Sequence, residues 1–267
     1  MTRVRLASVN AASGRDVRTG RIDTLALAAA IAALEADVVA VQEVDHLLPR
    51  SGCLDQTALL ATAAGGTGRF VATIHGTPGV VQALRPAEST ILDEPSYGVA
   101  LLSRLPVREW RELRMPAGRA RLPLLLPSGK SSGRLSGLGV HLRWIPDEPR
   151  AVVAAVLDLP GGVLTVLGTH LSFAPTRAAT QLRAVCDWAA DLPRPLVLLG
   201  DLNLPPGIVR RVLPWQPLVG GATFPSPAPR IQLDHALADA LDARVVHAGV
   251  QRVGGSDHRG LVIDLEL

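Results

Sequence analysis

The segment PLVLLGDLN, residues 195–203, leads from an aliphatic run directly into an acid and an amide. The aliphatic residues predict a strand at 195–199 that is buried on both faces, as in a parallel sheet. Asp201 and Asn203 follow at its end. Side chains two positions apart on an extended segment point the same way, so both are expected on one side of the chain. The segment therefore predicts a polar site at the edge of an α/β sheet.

Polar side chains follow other apolar runs in the same manner. Predicted strands at 4–9, 38–42 and 163–169 lead into Asn10, Glu43 and His170, and the later signals are Asp234 and Gly255-Ser256-Asp257-His258. A core does not tolerate this density of unpaired charge, so the groups are expected to share one site with a hard cation. Carboxylate and amide oxygens without a cysteine cluster favour Mg²⁺, with Mn²⁺ or Ca²⁺ as alternatives.

The rest of the chain mixes helices, strands and hairpins. Helices are predicted at 23–35, 54–64 and 176–190, with Asp23 or Thr24 near the first N-cap, and a glycine-rich turn at 65–68. Further strands are predicted at 70–74, 97–103, 231–236, 244–250 and 261–267, a hairpin at 151–169 and an irregular excursion at 75–95. Hairpins in place of strict βαβ repeats imply two packed mixed sheets with helices outside. No linker divides the pattern, so residues 1–267 are predicted to form one domain.

Composition limits the classes of protein that remain. Hydrophobic residues make up 48% of the chain but aromatic residues only 3%, which argues against a dedicated single-strand binder with stacking platforms. The net charge of +3 and the pI near 9.5 suit a polyanionic substrate without identifying one. Lys130 is the only lysine. An arginine-rich composition of this kind is typical of a genome rich in G and C, so it carries no functional weight.

Location is predicted from what the sequence lacks. Cys53 and Cys186 form no spaced pair, which argues against a disulfide framework or a structural zinc site and favours reduced thiols. The N-terminus lacks the pattern of a secretion signal. The longest obvious apolar stretch, 25–34, is about half of the roughly 20 residues that a membrane-spanning helix needs. We therefore expect a cytoplasmic protein with no transmembrane segment and no evident obligate protein partner.

The polar signals stand in an order that resembles a known superfamily. The matching segments are LASVN at 6–10, DVVAVQEV at 37–44, YGVALLSR at 97–104, GTHL at 168–171, GDLN at 200–203, LDH at 233–235 and GSDH at 255–258. In this order they resemble the endonuclease/exonuclease/phosphatase (DNase I-like) superfamily of metal-dependent phosphoesterases. The resemblance extends from Val4 to Leu267 and implies a four-layer α/β/β/α sandwich.

The resemblance also implies roles for individual residues. Glu43 is the leading metal ligand, with Asn10 beside it as ligand or orienting group and Asp257 as a second acidic contact. Asp201 orients or deprotonates the attacking water, and Asn203 holds a phosphoryl oxygen. His170 and His258 contact the phosphate, and Asp234 pairs with His258 to fix its tautomer. The alternative that Asp201 or Asn203 only caps a helix near Ile208 stays open.

Two further residues are candidates for substrate binding. Tyr97 precedes a strand where relatives often place a phosphate-contacting group, although a packing role at the strand edge is equally open. Arg104 is positioned to contact a phosphate bidentately, although it is also consistent with an ordinary surface arginine. His141 resembles His170 in its surroundings and is a weaker candidate. His235 departs from the aromatic residue often found after the family aspartate, which puts local packing in question more than chemistry.

The sequence favours a nuclease acting on DNA or RNA by in-line attack of an activated water. The alternative is a phosphatase or phosphodiesterase that acts on a small phosphorylated molecule, a sugar-phosphate or a lipid headgroup. Substrate choice is expected in loops 75–95, 115–134 and 220–230, where Arg119, Arg121, Lys130 and Arg134 are positioned to follow a nucleic-acid backbone. Residues 122–126 fit a plain strand as well. A member that binds without catalysis predicts gaps in the polar set, and none is found.

Overall fold

The fold is described from a computed structural model, which covers residues 2–78, 85–118, 121–127 and 140–267. Its helices are α1 (Thr24–Ala32), α2 (Gln56–Ala64), α3 (Pro175–Ala189) and α4 (Pro206–Val212). Asp23 caps α1 by accepting a hydrogen bond from the backbone N–H of Ala26, as the sequence predicts. Asp55 caps α2 in the same way, and Gly65 ends that helix in the left-handed conformation.

The first sheet contains the N-terminal strands and the C-terminal hairpin. Its order is β14 (Arg244–Arg252), β15 (Arg259–Glu266), β1 (Arg3–Asn10), β2 (Val38–His46), β5 (Ser96–Ser103), β3 (Thr67–His75) and β4 (Arg85–Pro86). Strands β1 and β2 are parallel and are connected through α1. The other neighbouring pairs in this sheet are antiparallel.

The second sheet contains the strand that delivers Asp201. Its order is β12 (Gln216–Pro217), β13 (Asp234–Asp239), β11 (Leu196–Asp201), β10 (Gly162–His170), β9 (Arg150–Leu159) and β6 (Val107–Met115). Strands β10 and β11 are parallel and are connected through α3. Two further strands, β7 (Arg121–Pro127) and β8 (Val140–Pro146), form a separate antiparallel pair. Residues 122–126 therefore lie in a strand.

Three apolar layers hold the sandwich together. Strand β1 serves two of them, because Leu6 packs between the sheets while Val9 faces α1 and α2. A third layer joins the second sheet to α3 and α4 through residues such as Leu182 and Leu198. The order helix, sheet, sheet, helix confirms the predicted four-layer architecture. None of the described helices is long and apolar enough to cross a membrane.

Several predicted boundaries are wrong. Strand β2 continues past Gln42 to His46, because a bulge carries the chain over Glu43. The predicted glycine turn is confined to Gly65 and Gly66, since Thr67 already pairs in β3. The predicted strand at 231–236 begins only at Asp234. Within the expected excursion at 75–95, His75 is buried in β3 and β4 adds a short edge strand, while residues 79–84 lie outside the description.

The topology gathers the functional signals at one edge. In parallel strands the carboxyl ends lie together, so β1 and β2 both end at this edge in one sheet, and β10 and β11 do so in the other. The antiparallel strands β13 and β15 begin there. The segment before β15 carries Asp257 and His258. The predicted signals therefore lie at the same edge of the sandwich, at strand ends except for Glu43, which lies on the bulge within β2.

Candidate active site

The predicted polar residues of both sheets meet at this edge. Asn10 belongs to β1 and Glu43 to β2 of the first sheet, whereas His170, Asp201 and Asp234 belong to β10, β11 and β13 of the second. A hydrogen bond from Nδ2 of Asn10 to Oδ2 of Asp201, 3.1 Å long, joins the two sheets. The site is therefore assembled from both halves of the sandwich.

Gly200 allows β10 and β11 to approach closely just before the site. Its φ of +153° is rarely adopted by residues with a side chain, and a Cβ there would lie 2.0 Å from the carbonyl oxygen of Thr169. The register pairs His170 with Asp201 directly after this contact. Glycine at position 200 thus lets the histidine and the aspartate stand side by side.

Asn10 orients two carboxylates at once. Its Nδ2 donates to Oε1 of Glu43 over 3.1 Å as well as to Asp201. Its Oδ1 accepts a hydrogen bond from the backbone N–H of Ala12 over 3.1 Å, which fixes the direction of the amide. A second lone pair on Oδ1 stays available, so Asn10 fits either role expected from the sequence.

Glu43 lies on the bulge of β2. The pairing of β2 with β5 is interrupted between Val41 and Val44, and Glu43 has a φ of +58°. Such a conformation costs on the order of 1 kcal/mol or more for a residue with a side chain and is concentrated at functional sites. Burial, together with the charge of Asp257, raises the pKa of Glu43. Two carboxylates that disfavour each other's charge are a natural position for a cation.

Asp201, Asp234 and His258 form a compact buried triad. Their potential ligand atoms lie within 4.8 Å of one another. Oδ2 of Asp234 lies 2.9 Å from Nδ1 of His258, and Nε2 of His258 lies 3.7 Å from Oδ2 of Asp201. Burial alone would lower the pKa of His258, but the two aspartates outweigh it and raise that pKa to about 10. Burial and the charge of Asp234 raise the pKa of Asp201 to about 7.

The two acidic groupings differ in how their charge is balanced. In the triad, the imidazolium of His258 compensates the aspartates without any ion. Glu43 and Asp257 line an adjoining cavity and have no cationic side chain in hydrogen-bonding contact within the described chain. Oδ1 of Asp234 is buried without a hydrogen-bond partner among the described residues, so the edge retains a free acceptor as well. These carboxylate oxygens fit a divalent, oxygen-preferring cation beside Glu43.

His170 and Asn203 form the opposite wall of the site. Nδ2 of Asn203 lies 3.2 Å from Nε2 of His170 and donates to the carbonyl oxygen of Leu171 over 3.1 Å. Burial, with the charges of Arg150 and His258, lowers the pKa of His170 well below its usual value, so its imidazole is neutral. Asn203 adopts a φ of +51°, which asparagine tolerates better than most residues.

The helix-capping alternative for Asp201 and Asn203 is wrong. The N-cap position of α4 is Pro205, and no side chain caps that helix. Oδ1 of Asp201 instead accepts a hydrogen bond from the backbone N–H of Asn203 over 3.0 Å, which holds the turn that follows β11. Neither side chain is therefore used to cap α4.

Arg150 is a site residue that the sequence did not reveal. Its side chain is only 6% exposed, its one ion pair is a 3.8 Å contact with Glu148, and its Nε is buried without a hydrogen-bond partner among the described residues. Its charge adds to the effect of burial in lowering the pKa of His170, and it partly opposes the rise in the pKa of Glu43. The surrounding segment DEPR resembles any polar loop, and arginine is common throughout this chain, so no sequence signal distinguishes it.

The structure separates the two substrate-binding candidates. Tyr97 is buried, and it lines the same cavity as Glu43. Arg104 does not reach this edge: Ser103, its neighbour, pairs with the first residue of β2, and the Arg104 guanidinium donates to the carbonyl of Ala64. Because β5 runs antiparallel to β2, Arg104 lies at the opposite end of the sheet from Glu43. We therefore withdraw Arg104 as a substrate-binding residue.

The structure describes only some of the other residues that the sequence suggested for the site. Lys130, Arg134 and Arg119 lie outside the described residues, as do the side chains of Arg121 and His141. His235 is buried, and its Nε2–H donates to the carbonyl of Leu204 over 2.8 Å, so this position keeps its packing without the usual aromatic residue. The ring of Phe224 packs against His258 with 4.9 Å between centroids, a contact that the sequence did not indicate.

Comparison with known proteins agrees with this geometry. The model of the endonuclease/exonuclease/phosphatase family matches residues 7–258, and the chain belongs to this family of phosphoester hydrolases. Among curated proteins, no sequence matches this one.

Solved structures of the family share the fold. The chain is similar to the endonuclease/exonuclease/phosphatase of Beutenbergia cavernae DSM 12333, with 24% identity, a TM-score of 0.69 and coverage of 100% of this chain and 72% of the other. It is similar to the human Nocturnin catalytic domain with bound sulfate, at 15% identity, TM-score 0.61 and coverage of 99% and 94%. It is also similar to a mannosyl-6-phosphatase from Bacteroides thetaiotaomicron VPI-5482, with 13% identity, a TM-score of 0.59 and coverage of 99% of this chain and 100% of the other.

Proposed function

We propose that this protein is a magnesium-dependent phosphodiester hydrolase that cleaves its substrate by in-line attack of a water molecule. The observation that carries the proposal is the position of Asp201 at the centre of the site. Its Oδ2 lies 3.1 Å from Nδ2 of Asn10, and 3.6 and 3.7 Å from Nε2 of His170 and His258. A carboxylate in this position has a positioned amide and two imidazoles around the space where a phosphate can bind.

Three residues at the open side would hold the ion. Glu43 and Asp257 supply carboxylates, and Asn10 supplies an amide oxygen and orients Glu43. When bound, the Mg²⁺ supplies neutralisation of the charge on the phosphoryl oxygens. Arg150 contributes fixed positive charge from the side of β9.

Asp201 acts as the base in this proposal. Burial and the charge of Asp234 raise the pKa of Asp201 above that of an ordinary carboxyl, which makes its carboxylate a stronger base. Asp201 orients the attacking water and accepts its proton as the bond from the water oxygen to phosphorus forms. The bond from phosphorus to the leaving oxygen on the opposite side breaks, and that oxygen takes up a proton from solvent. Nδ2 of Asn10 holds the carboxylate in place for that step.

The imidazoles and Asn203 serve the phosphate. His258, with its pKa of about 10, is cationic at neutral pH and presents Nε2 toward the site, while Asp234 holds Nδ1. His170 is neutral, and Asn203 lies within hydrogen-bonding distance of it. Donors that are fixed before the reaction stabilise the charge that develops on the phosphoryl oxygens without reorganisation.

The substrate class has two candidates. A nuclease acting on DNA or RNA is the class that the sequence favours, and the basic segment at 115–134 would serve it. The second is a small phosphorylated molecule, and the cavity beside Glu43 supports it. Its volume of about 200 Å³ is below the roughly 300–1,000 Å³ of pockets that enclose drug-sized ligands. Relatives of this fold include a mannosyl-6-phosphatase, which is consistent with the second candidate.

One comparison tests the reaction and its substrate class together. The protein is stripped of metal with a chelator and assayed with and without Mg²⁺ on plasmid DNA, bis-p-nitrophenyl phosphate and a panel of phosphoinositides. We expect hydrolysis of bis-p-nitrophenyl phosphate only with Mg²⁺, its loss in Asp201→Asn, and its retention in Arg104→Gln. Metal-independent hydrolysis, or full activity of Asp201→Asn, would refute the proposed chemistry.

A further inference from the structure

A cavity of about 200 Å³ opens directly beside the proposed metal ligands. Its lining includes the carboxylates of Glu43 and Asp257. Arg15, Arg50 and Tyr97 line the same cavity and form the wall considered below, together with the small residues that follow β1. A group bound in the cavity would therefore contact both the metal site and a wall that carries positive charge.

Arg50 is held rigidly on that wall by a fully buried carboxylate. Nε and Nη2 of Arg50 donate to the two oxygens of Asp45 over 2.8 and 2.7 Å, a bidentate pair. Asp45 is completely buried, whereas 23% of the Arg50 side chain is exposed. The guanidinium also lies over the ring of Tyr97, 5.7 Å from its centroid. The buried partner thus fixes the exposed one.

Further buried polar groups support this pair. The hydroxyl of Ser13 donates to Asp45 over 2.8 Å and accepts from Nη2 of Arg50 over 3.0 Å. The side chain of Gln56 accepts from the backbone N–H of Asp45 and donates to the carbonyl of Ser13. Burying a carboxylate and its partners has a desolvation cost that apolar packing would avoid. A network that holds one guanidinium in place at this cost indicates a role for that guanidinium.

Two donors of the wall have no partner among the described residues. Nη1 of Arg50 makes no hydrogen bond, since its Nε and Nη2 take the contacts with Asp45 and Ser13. The hydroxyl of Tyr97 makes none either, although Arg50 stacks on its ring. Arg15 adds a further positive charge to the same cavity. Fixed donors and positive charge beside a metal site are the recognition elements of a phosphate.

We propose that this cavity binds a second phosphate of the substrate, adjacent to the phosphate that is cleaved, and that Arg50 is the residue that recognises it. The proposal rests on the proposed function, since it assigns the neighbouring group to the same site. The second phosphate has two sources: the next phosphate along a nucleic-acid strand, or a second phosphate on a small polyol headgroup. Both present the same anion to Arg50 and Tyr97.

Matched substrates that differ by one phosphate distinguish these sources. The first pair is thymidine 5′-(p-nitrophenyl phosphate) and its 3′-phosphorylated form, and the second is glycerophosphoinositol and its 4-phosphate. We expect the wild type to prefer the doubly phosphorylated member of one pair by roughly tenfold or more in kcat/KM, mainly through KM, as expected for one charge-assisted contact. The pair that shows the preference identifies the source.

The variants remove the guanidinium without leaving a buried charge unpaired. Arg50→Lys keeps the charge and loses the bidentate geometry, and the double variant Asp45→Asn/Arg50→Gln keeps a neutral network. Both are expected to bring the preference close to one, whereas Arg104→Gln, at the far end of the sheet, leaves it unchanged. Tyr97→Phe removes one hydroxyl and is expected to reduce the preference by a few fold. Melting temperatures establish that each variant is folded.

Binding gives a readout that does not depend on turnover. Calorimetric titration compares thymidine 3′,5′-bisphosphate with thymidine 5′-phosphate, and glycerophosphoinositol 4-phosphate with glycerophosphoinositol, in the wild type and in folded Arg50 variants. The inference is overturned if the wild type shows no preference for the second phosphate in either pair, or if the preference survives both Arg50 variants. If the wild type does not hydrolyse bis-p-nitrophenyl phosphate, the proposed function is refuted. The inference about the cavity is judged separately, because the titration measures binding and does not require turnover.

Discussion

Oδ2 of Asp234 lies 2.9 Å from Nδ1 of His258, and this contact leaves the other ring nitrogen, Nε2, to point toward the site. If Asp234 acts only by orienting His258, the two residues are expected to behave as one unit. Asp234→Asn and His258→Ala should each slow turnover strongly, and the double variant should be about as slow as the slower single variant. Steady-state kinetics of the four proteins measure the coupling. Multiplicative losses would show that the residues act independently.

Glu43 should govern the response to metal. Glu43→Gln keeps the shape of the side chain and its contact with Asn10 but removes the charge that attracts the cation. Turnover at saturating substrate should fall by several orders of magnitude at ordinary Mg²⁺ concentrations, with part of the loss recovered at high Mg²⁺. A Mg²⁺ titration of activity, with circular dichroism as the control for folding, tests this. An unchanged Mg²⁺ dependence would exclude Glu43 as a ligand.

Arg150 is expected to stabilise the transition state. The charge of its buried guanidinium adds to the lowering of the pKa of His170 and partly opposes the rise in that of Glu43, and its Nε is free of described partners. Arg150→Gln should lower kcat by about 10²–10³, the range found when one fixed donor to a developing oxyanion is removed. Arg150→Lys should recover part of the loss. Wild-type kcat in Arg150→Gln would restrict the residue to a structural role.

His235 should contribute to the acid sensitivity of the fold. Burial lowers its pKa, so the folded protein keeps it neutral while the unfolded chain takes up a proton below about pH 6.5. Stability from this group is present above that pH and is lost as the pH falls. In His235→Phe the decrease in unfolding free energy from pH 7 to pH 5 should shrink by up to about 2 kcal/mol.

Urea unfolding at the two pH values provides the measurement. At pH 7 His235→Phe should be about 1 kcal/mol less stable than the wild type, because the hydrogen bond to Leu204 is lost. His247, exposed on β14, gives the matched control His247→Phe, which should keep the wild-type difference between pH 7 and pH 5. Equal differences in all three proteins would contradict the prediction.

Salt dependence should separate the two substrate classes. If the segment at 115–134 binds a nucleic-acid backbone, duplex affinity should fall steeply with salt, by roughly 0.9 in the slope of log K against log salt for each neutralised phosphate. Replacing Arg119 and Arg134 with glutamine should flatten that slope by about two units while a small diester is still hydrolysed. Negligible duplex affinity at low salt would favour the small phosphorylated substrate.

The polar residues at strand ends could be predicted because each apolar strand is followed directly by a polar residue, and this pattern is visible in the sequence. An apolar run such as 196–199 has no reason to end in Asp201 and Asn203 unless they serve something beyond the sheet. The two-sheet architecture followed from hairpins mixed with parallel connections. These are local patterns, and a single sequence displays them directly.

Arg150 and Arg104 show where local patterns stop being informative. Both are arginines beside a strand, and only the register of the sheets shows that one starts β9 at the site and the other follows β5 at the far end. The bulge at Glu43 was likewise hidden, because an acid after an apolar run indicates the end of a strand and nothing in the sequence shows that pairing resumes at Val44. Strand β6 escaped prediction because its exposed edge carries charges in place of a regular apolar alternation.

The hydrogen bond between Asn10 and Asp201 crosses a seam, since one residue belongs to each sheet. Beneath it the sheets are packed through an apolar layer, with Gly168 allowing β10 to lie close to Ala40 of β2. A displacement of about 1 Å in a catalytic group is enough to reduce a rate by about a hundredfold. The rate of catalysis in this protein therefore depends on how the two sheets are aligned. A substitution deep in the core would first be detected as a lower rate in a protein that is still folded.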